Sequence, residues 1–192
     1  MDGTFCAAFS APHSQRITRS AFRALCAEVP ERDLRLVIAG RDSEQLRTQL
    51  GDLSERVILC ECGAESAAQQ VPSMPPDKLV GLYLAADAFV LSSLLEGFSS
   101  AIIEAMAAGL PLVVTDVPGI RGVVVDNSEG LLVPPRSPAA LAAAMRRMVE
   151  DAEMRARLSS AARETAARYS WPIVVREYEN LYRELNTSRS RP

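Results

Sequence analysis

The chain has 192 residues, 48% of them hydrophobic and 23% charged, with a formal net charge of −3. That is the mix of a globular domain with room for one hydrophobic core. It excludes the basic footprint of a nucleic-acid binder, and no apolar run approaches the ~20 residues of a membrane span. No signal-peptide pattern stands out, so the expectation is a cytoplasmic protein. Cys6, Cys26, Cys60 and Cys62 make no metal-site pattern with the single histidine, His13, and no metal is expected.

Short apolar runs alternate with helical patterns along the chain. Thr4 to Phe9 reads as a first strand, and Gln15 to Glu28 has helical spacing in Ile17, Ala21, Ala24 and Leu25. Leu34 to Ala39 is a second strand closed by Gly40, followed by a polar helix over Ser43 to Leu50. Arg56 to Cys60 is a third strand, on which Cys60 and Cys62 share one face as reduced thiols on a buried side. Gly63 to Pro76 is rich in Ala, Gln, Ser and Pro and reads as a loop.

Asp77 to Ala86 is helical, and Ala88 to Leu91 is a fourth strand. Ser99 or Ser100 caps a helix that runs to Ala108 and stops at Gly109. Pro111 to Thr115 is a fifth strand. Val123 to Val125 and Gly130 to Val133 are weaker strand candidates around an Asp126-Asn127 turn. Ser137-Pro138 opens a helix with the stripe Leu141, Met145, Met148 and Val149. A second helix spans Glu153 to Arg168, Trp171-Pro172 breaks the pattern, and a last helix ends near Leu185, before a frayed polar tail.

Strands alternating with helices predict an α/β fold, a Rossmann-like doubly wound parallel sheet with C-terminal helices. Ligands of such sheets bind outside the carboxyl ends of the strands. The loop after the fourth strand, Ser92 to Ser100, runs directly into a helix N-terminus, whose free amides and partial positive charge suit a phosphate. Gly97 would let a ligand approach the backbone, and Glu96 can reach the same space. Glu104 lies one turn deeper, nearly opposite Ile102, Ile103 and Met106 and beside the small residues Ser100, Ala107 and Ala108. Small neighbours suit a face that something approaches; a solvated surface glutamate is the alternative.

The stretch Glu96-Gly97-Phe98-Ser99-Ser100-Ala101-Ile102-Ile103-Glu104-Ala105-Met106-Ala107-Ala108-Gly109-Leu110-Pro111 resembles the signature of retaining glycosyltransferases of the GT-B fold, family four type (glycosyl transferases group 1). Two glutamates separated by seven residues precede an Ala-Met-Ala-x-Gly-x-Pro run. The resemblance extends to Leu82-Tyr83, Ala86-Asp87, Glu129 to Pro135, and Tyr169-Ser170-Trp171. It implies that residues 1–192 form a single nucleotide-sugar-binding domain, one half of a GT-B fold. Glu96 would contact the donor sugar as the catalytic glutamate, Gly97, Phe98, Ser99 and Ser100 the sugar and diphosphate, and Glu104 the ribose. The diphosphate itself would assist front-face attack with retention, without a metal or other cofactor. Polysaccharide biosynthesis is the implied setting.

The chain departs from the family twice. The implied partner is an N-terminal acceptor-binding domain, and nothing here resembles it. The helix over residues 171–186 would cross to that missing half, to which any membrane contact would also belong, and this chain by itself is expected to be inactive. Second, the family's first strand ends in Gly-Arg-Leu with a lysine five residues after the arginine. Here Ala7-Ala8-Phe9 and His13 take those places. Losing two charged hydrogen bonds would remove roughly 3–6 kcal/mol. Arg16 or Arg41 are candidate replacements, and His13 and Arg41 are placed with the diphosphate contacts. A non-catalytic descendant that binds a nucleotide or a protein is the alternative. A dinucleotide-binding module would want Gly-x-Gly-x-x-Gly, where Gly40 stands alone.

Overall fold

The computed structural model describes residues 3–9, 12–40, 43–61 and 75–189. Its strands are β1 (Gly3–Phe9), β2 (Leu34–Gly40), β3 (Val57–Glu61), β4 (Ala88–Leu91), β5 (Leu112–Thr115) and β6 (Gly130–Val133). The helices are α1 (Pro12–Glu28), α2 (Pro76–Ala85), α3 (Ser100–Ala107), α4 (Pro118–Arg121), α5 (Pro138–Glu150), α6 (Ala152–Ala167) and α7 (Trp171–Arg189). Each described pairing is parallel, and the strand order is β3-β2-β1-β4-β5-β6. The order reverses between β1 and β4, which opens the crevice at their carboxyl ends.

Strand alternation sorts the side chains into two cores, one on each face of the sheet. Ala88, Val90 and Val113 pack with Phe22 and Leu25 of α1 and Leu141 and Met145 of α5. Phe89, Leu91, Leu112 and Val114 pack with Ile102 and Met106 of α3, Ile120 of α4 and Ala162 of α6. Burial on both faces explains why β4 and β5 read as unbroken apolar runs.

Helix α3 ends as its sequence requires. Gly109 takes φ 81°, its N–H donates to the Met106 carbonyl and the Leu110 N–H to that of Ala105, the paired bonds of a Schellman cap. Helix α5 starts on Ser137, whose hydroxyl accepts the Ala140 N–H. At α3 the cap is different: Ser99 is the N-cap residue, but its side chain caps nothing.

Several elements differ from the sequence reading. Residues 43–49 form a 3₁₀ helix rather than an α-helix. Val123 to Val125 is not a strand: the Val125 N–H donates to the Glu129 carboxylate at 2.9 Å, so a side chain takes the donor a ladder would use. On β3, Ile58 is 50% exposed and Cys60 only half-buried, so that face is not the buried side expected for the thiols. The strand lies at the sheet edge, and Cys62 falls outside the described residues. Ile103 does not join the core face of α3 but is half-buried beside it. Helix α7 continues to Arg189, past the expected end near Leu185.

Candidate functional site

At the carboxyl end of β4 a run of hydroxyls fixes the loop that follows. The Ser92 hydroxyl donates to the Ser14 carbonyl at 2.8 Å and shares a hydrogen bond with Thr18, also at 2.8 Å. The Thr115 hydroxyl, at the end of β5, donates to the Ser93 carbonyl at 2.5 Å. All of these residues are buried. A buried hydroxyl left unpaired costs about 1–3 kcal/mol, so the network holds the loop in one place. It ties the loop to the first turns of α1 and to the β5 end, across the switch point.

Ser93 then donates to Glu96 Oε1 at 2.6 Å, orienting that carboxylate. The Glu96 backbone is clamped from the other side. A Cβ on Gly119, in the first turn of α4, would lie 2.0 Å from the Glu96 carbonyl oxygen and 2.5 Å from that of Gly97. Gly119 is thus the glycine that lets two segments of the chain's own backbone meet. A Cβ on Gly97 would meet nothing within 4 Å among the described residues, so the room expected there is open surface.

Glu104 is exposed on α3, as its position opposite the core face implies. Its Oε2 accepts from the Tyr83 hydroxyl at 3.2 Å. Tyr83 is buried on α2, with its ring tilted against Phe89 at 6.0 Å. The Ile102 N–H donates to the Ser99 carbonyl at 3.2 Å, but Ser99 supplies no side-chain cap, so the Ser100 and Ala101 amides between Glu96 and Glu104 have no partner among the described residues.

A cleft of about 770 Å³ opens beside α3, with Phe98, Ser100, Ile103 and Glu104 on one wall and Trp171 and Tyr178 of α7 on the other. Phe98 also stacks, tilted, on Tyr169 at 5.8 Å. Of the residues singled out in the sequence, Phe98, Ser100 and Glu104 share this cleft. Glu96, Gly97 and Ser99 stand outside its described lining. His13 lies in the first turn of α1, but its side chain is outside the described residues, as is Arg41 altogether. Arg16 does not reach toward the β4 loop: Ser14 and Thr18 occupy that side of α1, while Arg16 lines a pocket with Arg136 and Pro138.

Two carboxylates were not singled out from sequence. Asp116, just past β5, is held by a bidentate pair with Arg121, whose Nη2 donates at 2.9 Å. That hydrogen bond keeps the Asp116 carboxyl below its ordinary value, against a smaller opposing effect of burial. Glu129 is buried and accepts from both the Val125 N–H and the Thr165 hydroxyl, tying the turn before β6 to α6. Their roles show only in contacts made by the fold: Asp116 with Arg121 five residues on, and Glu129 with Val125 and with the distant Thr165. Among the described residues no group of three His, Cys, Asp or Glu side chains is placed to hold a metal ion. No described helix is long and apolar enough to cross a membrane.

A six-stranded parallel sheet wound on both faces, with an open helix N-terminus at its switch point, is the architecture of one half of a GT-B structure. Residues 18–165 match the family model described as glycosyl transferases group 1, and the chain belongs to that family. It is 32% identical over 176 residues to a D-inositol 3-phosphate glycosyltransferase of Corynebacterium urealyticum, covering 92% of this chain and 40% of that protein. It is 34% identical over 164 residues to a phosphatidyl-myo-inositol mannosyltransferase of Mycobacterium leprae, covering 83% and 40%. The chain thus spans about 40% of the length of these curated relatives. Sucrose-phosphate synthase from Thermosynechococcus elongatus superposes with a TM-score of 0.75 at 26% identity, over 97% of this chain and 46% of that one. The C-terminal domain of a group 1 glycosyl transferase from Francisella tularensis matches at a TM-score of 0.68 and 20% identity, over 88% and 87%. This last likeness shows the fold.

Proposed function

We propose that the chain binds a nucleotide-sugar donor for a retaining glycosyltransferase whose acceptor half is a separate N-terminal domain or chain. The observation that carries the reading is the arrangement around α3. Glu96, braced by Ser93, and Glu104, braced by Tyr83, flank a helix N-terminus that its N-cap residue, Ser99, leaves without a side-chain cap. Open amides suit a diphosphate, and carboxylates suit hydroxyls of sugar and ribose. In this reading Glu104 holds the ribose, Glu96 the donor sugar, and Gly97 to Ser100 the diphosphate. Solved Anabaena HepE structures, with the same fold at 23% identity, contain UDP with glucose or UDP-glucose, which supports a nucleotide-sugar as the ligand class. No metal or other cofactor enters the scheme, and the setting is cytoplasmic synthesis of a polysaccharide or glycolipid.

The apolar stripe of α7 fits the same scheme. Trp171, Val175, Tyr178, Leu181, Tyr182 and Leu185 are all exposed, and a helix with such a stripe needs a surface to pack on. The N-terminal half is that surface, and transfer requires it. A second reading is a non-catalytic nucleotide-binding descendant. Ala8 and His13, in place of the family's arginine and lysine, favour it.

The first test is thermal unfolding of the chain with uridine, guanosine and adenosine diphosphates. Stabilisation by one of them supports donor binding. No shift with any of the three at millimolar ligand contradicts binding by this half.

A further inference from the structure

A second pocket lies on the far side of α1 from the β4 loop. It has a volume of about 340 Å³ and is lined by Arg16, Ile17, Ser20, Arg136 and Pro138. Successive residues of a helix are offset by about 100°, so Arg16 lies about 200° around α1 from both Ser14 and Thr18. The pocket is thus separate from the network that braces Glu96.

Its charge is one-sided. Neither Arg16 nor Arg136 has an ion pair or hydrogen bond among the described residues, whereas Arg23, Arg35 and Arg121 each pair with an aspartate. No acidic side chain is among the described lining residues. The pocket also meets the first turn of α5 at Pro138, and that turn carries no acidic residue to offset the helix dipole. Arg136 follows Pro134-Pro135 with φ 62°, a left-handed conformation rare for a residue with a side chain. Buried Ile17 gives the pocket an apolar floor.

We propose that this pocket binds a phosphate monoester, with the guanidinium groups of Arg16 and Arg136 as its charged donors and the Ser20 hydroxyl as a third. Guanidinium forks match phosphate oxygens two at a time, and a monoester carries nearly two negative charges at neutral pH. A carboxylate offers one charge and two oxygens to the same three donors. The volume admits a phosphate together with the small polyol it esterifies. The site does not depend on the donor reading, since it shares no residue with it.

The test uses the whole chain and follows the Arg16 and Arg136 side-chain Nε–H signals by NMR. One arm titrates glycerol 3-phosphate against a chloride control. The other measures sedimentation with phosphatidylcholine vesicles containing phosphatidic acid. Saturable shifts of both arginines with millimolar ester, weakened about tenfold in R16Q and in R136Q, support the site. Vesicle binding lost in the same variants identifies a lipid headgroup as the source; a response to the soluble ester alone identifies a free phosphate ester. Absence both of saturable shifts with the ester and of vesicle binding, or equal binding by a folded R16Q/R136Q double variant, overturns the proposal. Nucleoside diphosphate stabilisation should be the same in wild type and R16Q, so failure here is distinguishable from failure of the donor reading.

Discussion

The hydroxyl of Tyr83, a residue only 4% exposed, donates to Oε2 of the exposed Glu104 at 3.2 Å. A buried phenol on α2 thereby sets the direction of a carboxylate on α3. Replacing Tyr83 by Phe keeps the ring on Phe89 and removes only the donor. Nucleoside diphosphate affinity should fall about fivefold, the worth of one hydrogen bond of ~1 kcal/mol, with little change in stability. Calorimetric titration of both forms measures this. Unchanged affinity with an intact fold would show that Glu104 needs no such brace.

Gly119→Ala should destabilise the chain by about 2–3 kcal/mol, because its Cβ meets backbone oxygens that cannot rotate away. Gly97→Ala, in open space, should leave stability within about 0.5 kcal/mol. Urea unfolding of the pair distinguishes a clamp on the Glu96 loop from a loop that simply tolerates side chains.

Glu129 is a bracket rather than a ligand group. Truncation to Ala leaves the Val125 N–H and the buried Thr165 hydroxyl without their acceptor, and should lower stability by about 2–3 kcal/mol. Nucleotide affinity measured below the unfolding transition should not change. A loss of affinity at full folding would reassign Glu129 to the site.

Asp116 gives a pH signature. Its folded pKa is depressed, chiefly by the hydrogen bond from Arg121, so its contribution to stability is present above the ordinary aspartate range. That contribution disappears as pH falls through the depressed folded value. Solvent screening keeps it small, so the titration itself is the better readout. The NMR midpoint of Asp116 should lie below the usual aspartate value and rise in Arg121→Gln. A midpoint that stays put would place the cause elsewhere.

Much of the fold was legible because it follows from local pattern. The alternation of short apolar runs with helical patterns announced a doubly wound parallel sheet, and Gly109 and Ser137 marked helix ends that the structure confirms. The 3₁₀ helix at 43–49 and the loop at 123–125 were not legible in this way. At the latter a glutamate four residues on competes with the strand ladder, which periodicity cannot register. In the site, Glu104 could be placed from helical phase alone. Its partner Tyr83 lies on another helix, and the need for glycine at 119 arises from a backbone contact made in three dimensions. Ser99 shows the opposite failure. It is the right residue type at the right position, yet its hydroxyl caps nothing.

The most direct test of donor binding is calorimetric titration of the chain with a nucleoside diphosphate and with the corresponding nucleotide-sugar. Both ligands should be measured on wild type, Glu96→Ala and Glu104→Ala. Glu104→Ala is expected to weaken both ligands about tenfold or more, whereas Glu96→Ala should remove only the extra affinity contributed by the sugar. Equal binding of both ligands by all three folded proteins would contradict the account.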